Sequence, residues 1–163
     1  MPSFEVEGLE QYMNTLQTLS NKELKNILGA MLYDGAGIIA DEIRKEVNAL
    51  PVEEDGAFGS SKHPMRGVTR AQKKGLQDSL GVAKMRVKGD EYNISIGFDG
   101  YNSWKTRKYP KGQPNSLIAR SIEKGTSFRS PHPIIEPALR RVQNKCVEAM
   151  QKQFDEQINN LFK

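Results

Sequence analysis

The sequence holds 163 residues, the size of one ordinary domain, with 37% hydrophobic and 27% charged residues and a mean hydropathy of −0.63. No run approaches the ~20 apolar residues of a membrane span, and a single cysteine, Cys146, excludes an internal disulfide. The net charge of +4 is compatible with a polyanionic neighbour without requiring one. Glu5 and Glu7 stand where an export signal would be basic and then apolar, so a reducing, cytoplasmic site of synthesis is expected.

Residues 3–7 alternate Phe4 and Val6 with polar neighbours, a pattern too short to assign. From Leu9 the spacing turns helical through Met13 and Leu16 toward Leu19. Ser20 and Glu23 then have the form of a capping box, each side chain satisfying a backbone N–H at a helix start. Behind them Leu24, Ile27, Leu28, Met31, Leu32, Ile38, Ile39, Ile43, Val47 and Leu50 follow at helical spacing. Pro51 lacks the N–H needed to continue. The spacing predicts a helix of about 29 residues, roughly 43 Å long. Gly29, Gly35 and Gly37 each cost up to ~1 kcal/mol relative to Ala within it. Close packing against another element explains them better than a kink.

Residues 51–75 show no sustained period and read as a long loop, with one helical turn around 69–74. Two alternating runs, 81–88 and 91–98, flank Gly89-Asp90, the length and composition of a two-residue hairpin turn. Ala83, Met85 and Val87 face one way on the first run, and Tyr92, Ile94, Ile96 and Phe98 on the second. That apolar face is expected to pack on the long helix. Residues 99–115 form a second long loop. For 115–124 a short helix has a slight edge over a strand: Ile118 and Ile122 lie four apart, Asn115 could cap and Gly125 could terminate. Residues 130–137 carry Pro131, Pro133 and Pro137 and are expected to be largely extended. A last helix starts near Pro137, with Leu139, Val142, Cys146, Met150, Phe154, Ile158 and Leu161 on its apolar stripe. The fold class expected is α+β, in a single domain over 1–163.

The chemistry of an enzyme is hard to find. His63 and His132 lie in separate loops, and the sequence has no H-E-x-x-H, cysteine pair, P-loop or G-x-G-x-x-G. Cys146 falls on an apolar stripe, where a thiol behaves as a small inert hydrophobe, which disfavours pairing it with His132 as nucleophile and base. Glu42, Glu46, Asp78, Asp90 and Glu123 do not form the strand-borne Asp and Glu-x-Lys grouping of a metal-dependent nuclease. No catalysis, metal or cofactor is expected.

The order of the pieces is informative. Gly8-Leu9 opens a helical N-terminus ahead of the long helix, and Gly75-Leu76-Gln77-Asp78-Ser79-Leu80 precedes the hairpin. Ala119, Glu123, Gly125 and Thr126 follow, then Pro133, Pro137, Ala138 and Leu139 at the last helix. This order resembles the head–tail joining, or tail-completion, family of neck proteins in tailed bacteriophages and prophages. Members typically read T-G-x-L-x-x-S-I, then Y-A-x-x-x-E-x-G-T, then P-F-L-x-P-A-L. Lys74, Ile118 and Ile134 depart from that pattern, and 99–115 is longer than the usual connection. The resemblance implies a non-catalytic virion protein, made in the host cytoplasm, that forms a ring of six copies around the DNA passage. Its implied partners are other neck proteins (adaptor or stopper, tail terminator or tail tube) and packaged double-stranded DNA.

Both long loops are expected to lie outside the core, because compact domains rarely keep such connections without a role. The first, with Lys62, Arg66, Arg70, Lys73 and Lys74, is assigned to the DNA channel. The second, with Tyr101, Trp104, Lys105, Arg107, Lys108, Tyr109 and Lys111, is assigned to a neighbouring protein, since aromatics favour interface cores. The alternative is a basic nucleic-acid-binding module with no virion role, suggested by the same aromatic loop.

Overall fold

The computed structural model describes residues 17, 19–53 and 59–161; the patterns expected at 3–7 and from Gly8-Leu9 to Leu16 lie outside the described residues.

Helix α1 spans Asn21–Ala49. Its start is fixed by the expected capping box: Glu23 N–H donates to Ser20 Oγ at 3.3 Å, and Ser20 N–H donates to the Glu23 carboxylate at 2.9 Å. It stops at Leu50, ahead of Pro51. Helix α2 spans Arg70–Ser79, α3 spans Asn115–Lys124 and α4 spans Ile135–Leu161. Arg141 of α4 meets Glu42 and Glu46 of α1, while Cys146 meets Gly35. Rising numbers on one helix face falling numbers on the other, so the two long helices pack antiparallel.

The architecture is α+β, with the expected hairpin beside this helix pair. Strands β1 (Leu80–Val82) and β4 (Ile96–Phe98) pair antiparallel, as do β2 (Arg86–Lys88) and β3 (Glu91–Asn93). Gly89, at φ 59°, makes the turn between β2 and β3, a conformation that suits glycine. Tyr92, Ile94, Ile96 and Phe98 alternate with exposed Asn93, Ser95 and Gly97. The first run is less regular. Met85 N–H donates to Tyr33 Oη of α1 at 2.9 Å, whereas Val87 is exposed.

The core lies where α1 ends and α4 begins. Ile43, Val47 and Leu50 of α1 and its cap meet Leu76 of α2, Ile118, Ala119 and Ile122 of α3, and Ala138 of α4, with Val68 and Ile134 from the connectors. Full burial of each large side chain contributes roughly 1.5–3 kcal/mol. Leu80, Ile96 and Phe98 pack against this cluster from the sheet. On α4 the buried stripe is Ala138, Val142 and Cys146; Leu139, expected on that stripe, is exposed.

The expected 51–75 loop is shorter, because a second capping box starts α2. Gln72 N–H donates to Thr69 Oγ1 and Thr69 N–H donates to Gln72 Oε1, both at 3.2 Å. Nor does the first connector lie outside the core, whereas the second only buries its base. Val68 is fully buried, Met65 and Thr69 are buried, and Asn102 is buried in the second connector. A buried connector needs its backbone groups paired. Here Glu53 N–H donates to Val68 O, Val68 N–H to Pro51 O, and Met65 N–H to Phe128 O.

Candidate functional site

The five cations expected to line a channel do not act as one free set. Lys73 Nζ donates to Leu50 O at 2.8 Å, satisfying a carbonyl at the end of α1. Lys74 pairs with Asp78 one helical turn on, at 2.9 Å. Lys62 and Arg66 are exposed on the first connector, and Arg70 is exposed at the start of α2. The Arg66 backbone is itself engaged: the Glu53 carboxylate accepts from the N–H groups of Arg66 and Gly67, at 2.5 and 2.8 Å.

The second connector is an ordered reversal. Asn102 N–H donates to Gln113 O and Gln113 N–H donates to Trp104 O, while Thr106 and Tyr109 exchange backbone hydrogen bonds at the tip. The Asn102 Oδ1 accepts from Trp104 N–H at 2.9 Å, so this buried side chain fixes the base. Gly112, at φ 112°, passes so close to Asn102 O that any side chain would collide with it. Lys105, Arg107, Lys108 and Lys111 are exposed, Trp104 and Tyr109 are half-buried, and Tyr101 is exposed at the base. Lys108 Nζ lies 5.5 Å from the centroid of the Tyr109 ring.

A polar relay missed in the sequence joins the α3–α4 connector to the second connector through α2. Buried Arg129 donates from Nη2 to Gln72 Oε1 at 2.8 Å, and Gln72 Nε2 donates to Gln113 Oε1 at 2.9 Å. Burial pushes the Arg129 guanidinium below its ordinary pKa, and the Glu53 carboxylate opposes that shift. Thr69-x-x-Gln72 carries a capping signal in the sequence, whereas Arg129 has the look of an ordinary loop cation.

The remaining motif positions build the fold. Leu76, Ala119 and Ala138 are buried in the core, Gly75 lies against Asn102 and Asn115, and Ser79 is half-buried at the end of α2. The Glu123 carboxylate accepts from the N–H groups of Ile134, Ile135 and Glu136, at 2.8, 3.0 and 3.1 Å, and so caps α4 from α3. Burial raises the Glu123 pKa, but the donors of Ile135, Glu136 and Ile134, helped by Lys124, outweigh it and hold the carboxyl below its ordinary value. Gly125 terminates α3 at φ 74°, and Thr126 pairs with Arg129 through backbone hydrogen bonds. Pro133 is exposed before α4 and Pro137 is half-buried in its first turn.

Asn115 does not cap α3; its Nδ2 donates to Asp99 O at 2.8 Å. Cys146 is buried, and its thiol donates to Gly35 O at 3.5 Å, with burial raising its pKa. Among the described residues, no group of three or more His, Cys, Asp or Glu could hold a metal ion, and no helix is long and apolar enough to cross a membrane. Comparison with protein-family models, curated proteins and solved structures finds no match for this chain.

Proposed function

We propose that this chain is a non-catalytic structural protein of the bacteriophage neck, forming a ring of about six copies that joins the DNA-filled head to the tail. What supports the reading is that the three sequence motifs behind the resemblance pack on one another. Leu76, Ala119 and Ala138 share one core, and Glu123 of the second motif caps the helix opened by the third. Such interlocking gives a physical reason for these residue types to occur together in one order. The partners on this reading are the adjoining neck proteins and the packaged DNA, and the protein resides in the virion. A second reading, a basic nucleic-acid-binding module with no virion role, is favoured by the exposed cations at 105–111.

Imaging particles made without this protein tests the proposal. The expected result is DNA-filled heads separated from tails. Normal particles, or a particle structure with this chain outside the neck or present as a single copy, would overturn it.

A further inference from the structure

We infer that the reversal at 102–113 is a preformed contact for the sugar–phosphate backbone of duplex DNA. Its charge is one-sided: Lys105, Arg107, Lys108 and Lys111 occupy four of seven positions, and the sequence has no acid from Gly100 to Ile122. All four are exposed, and none is in an ion pair with another described residue. The cations expected on the first connector are more dispersed: Lys73 and Lys74 lie on α2 and are engaged within the fold, which leaves Lys62 and Arg66 on the connector itself.

The backbone beneath these charges is held in place. Thr106 and Tyr109 close the tip, Asn102 fixes the base, and Gln113 is tied to Gln72 of α2. Little order remains to be imposed on binding, which lowers the entropic cost of contact. An acidic protein partner fits less well, since interface cores favour aromatics and are depleted in lysine. Trp104 and Tyr109 are half-buried and therefore poorly placed for such a core. They are equally ill placed to stack the bases of a single strand. The one exposed ring of this connector, Tyr101, stands at the base and not among the charges, and a cationic tip of this kind suits phosphates, read by charge and not by base sequence.

Charge and geometry carry this contact independently of ring assembly, so it can fail while the neck reading stands. The test titrates the full chain with a short DNA duplex over a range of salt, following backbone amide NMR shifts. Shifts should concentrate at 104–111. Replacing the four cations together (K105Q, R107Q, K108Q, K111Q) should reduce the slope of log affinity against log salt by about 3.6, at ~0.9 per phosphate no longer neutralised. The replaced side chains are exposed, so the amide spectrum elsewhere shows whether the fold is intact. No duplex binding by the parent, an unchanged slope, or shifts centred on 62–70 would overturn the inference. Tighter binding of polyglutamate than of the duplex would also overturn it, assigning the tip to an acidic protein instead.

Discussion

Arg129 donates to Gln72 Oε1 at 2.8 Å from inside the fold, although the two residues lie 57 positions apart. Gln72 thus supplies an oxygen acceptor to Nη2 of this guanidinium, while buried Nη1 has no hydrogen-bond partner among the described residues. Replacing Gln72 by Leu removes the acceptor and leaves a buried charge poorly compensated. A loss of about 3 kcal/mol is expected by chemical denaturation. The double variant Q72L/R129M removes the charge as well and should recover part of that loss. Additive losses in the two single variants would show that the pair is not coupled.

The cap on α4 gives stability a pH dependence. The folded-state pKa of Glu123 lies below its unfolded value, so its contribution is present at neutral pH. It is lost as pH falls below about 4.3 and through the lower folded value. Replacing Glu123 by Ala should cost about 2 kcal/mol at pH 7, the upper range for one helix cap, because three N–H groups lose their acceptor. The difference between parent and E123A should shrink as the parent is titrated toward pH 3. A difference independent of pH would mean that the carboxylate charge is not what holds the helix start.

Two glycines of α1 should respond oppositely to the same change. A Cβ on Gly35 would lie 2.8 Å from Met150 Cγ and 3.0 Å from Cys146 Sγ. The resulting overpacking, about 1–3 kcal/mol, exceeds the helix-propensity gain of up to ~1 kcal/mol, so G35A should destabilise. A Cβ on Gly37 meets nothing within 4 Å among the described residues, so G37A should keep the gain and raise the melting temperature. If both variants melt alike, the close approach of α4 at Gly35 is wrong.

The long helices, the hairpin and the α3 stop at Gly125 are legible in the sequence because each depends on short-range chemistry. Ser20 and Glu23 cap locally, Gly89-Asp90 turns locally, and Gly125 supplies a positive φ. The connectors depart from expectation because their order comes from distant partners. Val68 pairs with Pro51 and Val52 across the chain, and Met65 pairs with the segment around Arg129. No hydrophobic period records such bonds. The candidate charges at 105–111 are legible as residue types, but the engagement of Lys73 by Leu50 O needs the end of α1 in place.

Deleting either connector separates a core role from a surface role. Removing residues 59–70 takes away fully buried Val68, buried Met65 and the Thr69 cap of α2. Truncating a buried Met alone costs about 2–5 kcal/mol, and removing a cap adds about 1. Against a typical total of about 5–15 kcal/mol, the deletion should abolish cooperative folding. Removing residues 105–111 is a different operation. It takes the exposed tip and half-buried Tyr109 but leaves Asn102, Trp104 and Gln113 at the base. Closed with two glycines, this shortened chain should lose less than about 2 kcal/mol, since surface changes away from buried contacts are small. Circular dichroism melts of the two deletions read the contrast directly. A cooperative melt after removal of 59–70 would show that Val68 and Met65 are not needed by the core, and unfolding after removal of 105–111 would show that the tip is.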